Sequence, residues 1–129
     1  MVMGERVIMS REILFKAKRK DNGEWVEGQY VYITNPLTED GKPIKHLICN
    51  GTNIFNDLID PDTLCQYTGF TDKNGKKIWE NDLLGHKLNR VEFLNGTYCI
   101  NGDRSLFFEA NTNEVIGNIF DNQEMLEVE

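Results

Sequence analysis

Six Asn-Gly or Asp-Gly pairs recur along the chain and strongly limit how it can fold. Both residues of such a pair accept positive φ at low cost, which two-residue hairpin turns require. Short runs rich in β-branched and aromatic residues lie between the pairs, and several of them alternate apolar with polar side chains. The pattern predicts antiparallel hairpins joined by tight turns at Asn22-Gly23, Asp40-Gly41, Asn50-Gly51, Asn74-Gly75, Asn95-Gly96 and Asn101-Gly102.

Two hairpins are the clearest of these. The first turns at residues 20–23 and the second at residues 72–75, between strands predicted at 65–70 and 77–83. Further strands are predicted at 44–49, 88–94, 97–101, 105–109 and 114–119. Each strand of the first hairpin gathers its alternating residues on one face, namely Ile13, Phe15 and Ala17 in one strand and Val26, Gly28, Tyr30 and Tyr32 in the other.

Helical patterns are short. Asp60 can cap one turn that begins at Pro61, and residues 122–129 can form another. The apolar run 106–108 suits a buried strand. We therefore predict a mainly β fold (β-rich α+β) of antiparallel hairpins with one or two short helical turns. The closely spaced strands from 77 to 120 resemble a small SH3-like barrel in the C-terminal half.

The length of 129 residues suits one domain, which we place at residues 10–129. Residues 1–9 are interpreted as a leader or an N-terminal arm. Met9 is a candidate start, because Gly4-Glu5-Arg6 can be encoded by a purine-rich stretch of the kind that recruits bacterial ribosomes.

Charge is unevenly distributed. The net charge is −7, yet residues 1–20 carry six basic side chains against two acidic ones. A general nucleic-acid binder normally presents a broad basic face, so this composition does not favour a nucleic-acid partner. An alternative uses Lys16, Lys18, Arg19 and Lys20 on the first strand, with Tyr67, Phe70 and Trp79 as a stacking platform. The competing interpretation is structural, with lysines protecting a terminal strand from aggregation and aromatics in the core.

Cysteine and histidine spacing offers little catalytic or metal chemistry. Three widely separated cysteines without a C-x-x-C pair suit buried thiols in a reducing cytosol. His46 and Cys49 have the spacing of half a zinc site, but no second half follows at a recognisable distance. Cys65 and His86 are the residue types of a nucleophile and a base, with nothing local to support the pairing.

Carboxylates are plentiful, so a hydrolase with scattered acidic residues stays open as an alternative. The stretch Asp72-Lys73-Asn74-Gly75 superficially resembles a calcium loop, but its glycine stands at position 4 rather than 6 and Leu83 occupies position 12. We interpret it as a hairpin turn. No catalytic, cofactor-binding or metal-ligating residue is therefore assigned, and no cofactor is expected. No apolar run approaches the length of a membrane-spanning helix.

Three segments together resemble the YopX family of phage and prophage proteins. In order along the chain they are REILFKA at 11–17, QYTGFTDKNG at 66–75 with IWEND at 78–82, and VIGNIFDN at 115–122. Their order and spacing span residues 10–126. The chain departs from the family pattern at Lys18, where the family often has Trp, at Asn81, where it usually has Gly, and at Gln123, where Pro is frequent.

The resemblance implies a phage-derived, cytoplasmic, β-rich protein that self-associates, and it implies no activity. We therefore expect a non-enzymatic interaction protein that acts in the cytoplasm of the bacterial host. Its expected partners are copies of itself, contacted through an edge strand or an apolar patch, and a host or phage protein. Neither a membrane nor nucleic acid is the expected partner.

Overall fold

The computed structural model describes residues 12–33, 41, 45–51, 57–85 and 89–126. The fold is mainly β, as predicted, with two antiparallel sheets. None of the helices in the described ranges is long and apolar enough to span a membrane. The predicted leader at residues 1–9 and the pair Asp40-Gly41 lie wholly or partly outside these ranges.

The first sheet has six strands in the order β4-β3-β2-β1-β5-β6. They are β1 (Phe15–Lys18), β2 (Trp25–Tyr32), β3 (His46–Cys49), β4 (Asp57–Leu58), β5 (Cys65–Thr71) and β6 (Lys77–Trp79). Both predicted hairpins are confirmed, since β1 pairs with β2 and β5 pairs with β6. The first strand is not terminal in the sheet, because β1 lies between β2 and β5. The interpretation of its lysines as edge protection is therefore wrong.

The second sheet has five strands in the order β10-β9-β8-β7-β11. They are β7 (Asp82–Leu84), β8 (Asn89–Leu94), β9 (Thr97–Ile100), β10 (Arg104–Ser105) and β11 (Val115–Asn118). The sheet is not closed, so the SH3-like barrel is not confirmed. Gly117 lies at an irregularity in the β7–β11 register, which agrees with a bulge.

The predicted strand at 105–109 is wrong beyond its first residue. After Ser105 the chain forms the helix α1 (Leu106–Glu109) and continues into a 3-10 helix, Ala110–Thr112. Leu106 and Ala110 are both buried. Residues four apart lie on the same face of a helix, so this pair fixes the helix on the core.

The two short helical turns that we predicted are both present. Asp60 caps the 3-10 helix Pro61–Thr63 by accepting a hydrogen bond from the Asp62 N–H at 3.0 Å. The tail forms α2 (Gln123–Leu126).

Asn81 divides the predicted strand 77–83 into β6 and β7, which belong to different sheets. Its φ of 72° is left-handed, so the strand cannot continue through it. The Asn81 N–H donates to the Val91 carbonyl at 2.8 Å, and its carbonyl accepts from the Ile119 N–H at 3.1 Å. Asn tolerates this conformation better than most residues, which explains how it can stand where the family usually has Gly.

Among the described residues, three apolar clusters form the core. The largest packs β6 against the second sheet and α1, through Ile78, Leu84, Val91, Ile100 and Leu106. A second cluster joins β1, β3 and Ile59, and a third gathers Cys65, Tyr67 and Trp79 against Trp25 and Phe120. The third cluster combines residues from early and late in the chain, and it contains two of the candidate aromatic residues, Tyr67 and Trp79.

Candidate interaction surface

An exposed group of aromatic residues lies where the β8–β9 hairpin approaches α1 and β5. We call Phe70, Phe93, Phe107 and Phe108 the aromatic patch. Phe93 is 52% exposed, Phe107 67% and Phe108 79%. Phe107 makes edge contacts with both Phe70 and Phe108, with ring centroids 6.3 Å and 5.1 Å apart. Phe93, Phe107 and Phe108 are the most exposed aromatic rings of the second sheet and its helices, within the described ranges.

Local structure explains why these rings face outward. Because Leu106 and Ala110 point into the core, the two residues that follow Leu106 must turn away from it. Phe93 lies one residue from the end of β8, opposite Tyr98, and the two rings pack edge to face at 4.9 Å. The predicted burial of the run 106–108 therefore holds for Leu106 and is wrong for Phe107 and Phe108.

A groove of about 350 Å³ opens beside the patch. It is lined by residues 68–70 and 96–98 together with Phe93 and Phe107, none of which carries a charge. Gly69 has a φ of 90° and lies at an irregularity in the pairing of β5 with β6, where the backbone turns toward the groove. The exposed Phe108 ring contacts Phe107, which lines this uncharged groove.

The size of the patch suits the centre of a protein interface. A Phe side chain offers roughly 200 Å² of surface. At the exposures given above, Phe93, Phe107 and Phe108 leave about 400 Å² of apolar surface in water. That is about half of the ~800 Å² that each partner contributes to an interface of standard size.

The sheet edges are less available than the patch. The outer strands β4 and β10 have two residues each. In β11, the Val115 N–H donates to Asp72 and the Asn118 N–H donates to the side chain of Asn122. In β6, the Trp79 N–H donates to Asp82. Since side chains already occupy these donors, pairing with a strand of another chain is disfavoured.

The basic residues of β1 lie against aromatic rings on one face of the first sheet. The Lys16 ammonium lies 4.5 Å from the ring centre of Trp25 and 5.0 Å from that of Trp79. The Lys18 ammonium lies 5.4 Å from the Trp25 ring and forms a 2.6 Å ion pair with Asp121. This arrangement brings together the cations and rings that a nucleic-acid site would use.

Most of these cations and rings already have partners within the chain. Tyr67 and Trp79 are buried, so these two residues form core rather than a stacking platform. Asp121 accepts from the Trp25 indole N–H at 2.7 Å as well as pairing with Lys18. Burial raises the pKa of Asp121, but hydrogen bonds from Lys18, Trp25 and Asn118 outweigh it and hold the pKa at about 2. We call the Asp121 contacts with Lys18 and Trp25 the clasp.

Lys18, Arg19 and Lys20 also line a cavity of about 560 Å³, together with Gly23 and residues 60–62. Arg19 forms a two-pronged hydrogen bond with Asp21 at 3.1 Å within the first turn. Lys20 is exposed on the same turn. The structure thus brings Lys16 and Lys18 together with rings, and directs Arg19 to its local carboxylate.

The candidate metal and nucleophile residues are not assembled into a site. His46 and Cys49 are three residues apart on β3 and therefore point to opposite faces of the sheet. The Tyr30 hydroxyl hydrogen-bonds the His46 Nδ1 at 2.7 Å. Within the described ranges no group of three or more His, Cys, Asp or Glu residues is arranged to hold a metal ion.

Cys65 is buried, while its proposed partner His86 lies outside the described residues. Burial raises the pKa of the Cys65 thiol to about 11. A thiol that holds its proton at neutral pH is a weak nucleophile, so Cys65 behaves as a core residue.

The buried carboxylates bind backbone N–H groups of the fold. Asp72 accepts from the N–H groups of Asn74 and Lys76 through Oδ1 and from Val115 through Oδ2, all within 2.9 Å. Burial raises the pKa of Asp72, but these three donors outweigh it and the pKa is lowered overall. The turn interpretation of 72–75 is confirmed, with Gly75 at a φ of 81°. Asp72 also ties this turn to β11 in the other sheet.

Asp82 is the second buried carboxylate, and it accepts from the Trp79 N–H at 2.8 Å. Burial raises its pKa to about 6, although this hydrogen bond and the positive charges of Lys16 and Lys76 act in the opposite direction. Its neighbour Glu80 accepts from the Gln66 N–H and the Tyr98 hydroxyl. The shared segment 78–82 therefore joins the two sheets.

Sequence reasoning missed Phe93, Phe107 and Phe108. The spacing of Leu106 and Ala110 was a detectable sign that the run 106–108 belongs to a helix.

A model of the YopX protein family matches residues 14–127, which is most of the chain. A comparison with curated proteins found no match.

Proposed function

We propose that this chain, which belongs to the YopX family, is a phage-encoded interaction protein that is not an enzyme. In this proposal it associates with copies of itself in the cytoplasm of the bacterial host. The observation that carries the proposal is the aromatic patch with its uncharged groove. Contiguous apolar surfaces of this size are often functional, and burying them against a partner is favourable.

Self-association through the patch is favoured over association through a strand edge. The patch contains both a protruding ring, Phe108, and a groove beside it. A two-fold interface requires each copy to present the same self-complementary surface, and a neighbouring knob and groove meet that requirement. The absence of charge from the groove lining also avoids placing like charges opposite each other.

The hydrogen bonds of the buried carboxylates support the proposal that the protein is not an enzyme. Asp72 and Asp82 accept hydrogen bonds from the backbone, and Glu80 contacts both Gln66 and Tyr98. These contacts hold the hairpin and the second sheet in register. They support an architectural role for Asp72, Glu80 and Asp82.

A nucleic-acid-binding module is the second candidate, and the cluster of Lys16, Lys18 and Trp25 favours it. The charge of Lys18 is already paired with Asp121, and Trp79 is buried beneath Lys16. Phe107 and Phe108 of the aromatic patch are, by contrast, more than half exposed. We therefore rank nucleic-acid binding as the second candidate function.

The test is the molar mass of Phe108→Ser at micromolar concentration, measured by size exclusion with light scattering. We expect the wild type to exceed the monomer mass of 14.9 kDa and the variant to approach it. Tyr32→Ser is the matched control, because Tyr32 is 54% exposed on the other sheet. Added salt should favour the oligomer, since it screens the repulsion between chains of net charge −7.

A wild-type protein that remains a 14.9 kDa monomer at low and moderate salt would overturn self-association. An oligomer that survives Phe108→Ser but not Tyr32→Ser would place the interface on the other sheet. Salt-sensitive binding of a single-stranded oligonucleotide that is lost in Lys16→Glu would favour the second candidate.

A further inference from the structure

Asn-Gly pairs are chemically reactive as well as being good turn formers. The backbone nitrogen of the glycine can attack the side-chain amide carbon of the asparagine. That step forms a C–N bond, releases ammonia and leaves a five-membered succinimide. Water then opens the ring to aspartate or isoaspartate, so one neutral amide becomes one carboxylate. The reaction needs an asparagine side chain that can rotate and a glycine nitrogen that is free to approach it.

The structure protects two of the five Asn-Gly pairs by holding the asparagine side chain. The Asn22 Oδ1 accepts from the Glu24 N–H at 2.9 Å. The Asn101 Oδ1 accepts from the Arg90 N–H at 2.9 Å, and its Nδ2 donates to Asn89. Rotation of either side chain toward the next residue requires these bonds to break.

A third pair is protected at the glycine. The Gly75 N–H, which follows Asn74, donates to the Asp72 carbonyl at 3.0 Å. The Gly23 N–H after Asn22 is held in the same way by the Arg19 carbonyl at 2.9 Å. A nitrogen engaged in this way is held away from the neighbouring side chain.

Asn95-Gly96 has neither protection. Within the described ranges, no hydrogen bond holds the Asn95 side chain or the Gly96 N–H. No atom lies within 4 Å of the position that a Cβ on Gly96 would occupy. Asn50-Gly51 is equally open, and it adjoins residues 52–56, which lie outside those ranges.

Asn95 also lies beside the aromatic patch. Asn95 and Gly96 are the two turn residues of the β8–β9 hairpin, with φ values of 54° and 81°. Gly96 itself lines the groove, together with Phe93 and Phe107. A new carboxylate at this turn would stand at the rim of the uncharged groove. The isoaspartate product would also lengthen the main chain at the tip of the hairpin.

We propose that Asn95-Gly96 is a self-modifying site, at which deamidation places a negative charge on the rim of the aromatic patch and weakens association of the chain. The predicted effect on association rests on the proposed function. Two copies that meet through the patch would each bring the added charge into a neutral interface, where like charges repel. Deamidation would then limit the lifetime of the assembly without any enzyme.

The chemistry is tested by incubating the purified full chain at mildly alkaline pH and mapping its peptides by mass spectrometry over several days. We expect the mass increase of amide-to-acid exchange, with isoaspartate, to appear at Asn95 well before Asn22, Asn74 and Asn101. These three pairs are internal controls of the same dipeptide. Conversion at any of the three as fast as at Asn95 would overturn the assignment.

The consequence is tested separately with Asn95→Asp, which mimics the charge and keeps a residue that suits the turn. Asn22→Asp is the matched control, with the same charge change at a turn of the other sheet. We expect a lower oligomer fraction for Asn95→Asp alone. Equal fractions in the two variants would refute the effect of the charge. A monomeric wild type would refute the proposed function and this consequence, while the peptide map would still decide the chemistry.

Discussion

Replacing Asp82 with asparagine should make the stability of the protein less dependent on pH. The Asp82 carboxylate is buried in β7, where it accepts the Trp79 N–H. Burial raises its pKa to about 6 from an ordinary value of 3.8. The folded protein therefore binds the Asp82 proton more tightly than the unfolded chain does. The asparagine variant keeps a carbonyl oxygen for Trp79 and has no proton to lose.

The sign and size of the effect follow from these two values. Because the folded pKa is raised, the Asp82 contribution to stability is fully present below pH 3.8 and is lost as pH rises through 6. The loss over the whole range is about 3 kcal/mol, because a tenfold change in the proton-binding constant is worth about 1.4 kcal/mol. Between pH 5 and pH 7.5 the wild type should lose roughly 1 kcal/mol through this group.

Urea unfolding at several pH values measures the difference directly. Each variant's free energy of unfolding is subtracted from that of the wild type, so titrations common to both proteins largely cancel. The difference for Asp82→Asn should change by roughly 1 kcal/mol between pH 5 and pH 7.5, in favour of the variant at high pH. Asp62→Asn serves as the control for losing an exposed carboxylate. A difference for Asp82→Asn that stays constant over this range would refute the reasoning.

Three other changes test the structural roles described above. Gly75→Val should destabilise by about 1–3 kcal/mol in urea unfolding, because a β-branched residue is strained at a φ of 81°; unchanged stability would contradict the turn assignment. Asp72→Ala should cost about 2–4 kcal/mol, since it leaves three backbone N–H groups without their acceptor; Asp103→Ala, at an exposed turn, is its control. Asp121→Ala should cost about 1 kcal/mol, because the pair with Lys18 is partly exposed. It should also shift the tryptophan fluorescence, and an unchanged spectrum would argue against the clasp.

Local patterns predicted the hairpins because their determinants are local. The turn residues stand between strands whose alternation shows which side faces the core, as in the pairing of Phe15 with Gly28. The strand predicted at 105–109 was wrong because three apolar residues in a row carry no period of two. The spacing of Leu106 and Ala110 indicates a helix, and the burial of both side chains agrees with it.

Contacts between distant segments were not predictable in this way. The position of β1 inside the sheet depends on its pairing with β5, about fifty residues later, and no turn sets that register. The exposure of the aromatic patch was not predictable for the same reason. Whether Phe107 and Phe108 are covered depends on which distant elements pack over them, and the sequence of the run is compatible with either outcome. The buried side chains of Tyr67 and Trp79 were the exception, since large aromatics in a small domain usually join the core.

The clasp has a consequence for synthesis on the ribosome. Trp25 and Asp121 are separated by 96 positions, so this contact cannot form until nearly all of the described chain has been made. At about 5–20 residues per second, the first hairpin waits roughly 5–20 s for its C-terminal contact. During that interval Lys18 and the Trp25 ring lack the residues that later cover them. The nascent chain thus presents to the ribosome, and to any nearby chaperone, a cationic and aromatic surface that Asp121 partly covers in the folded protein.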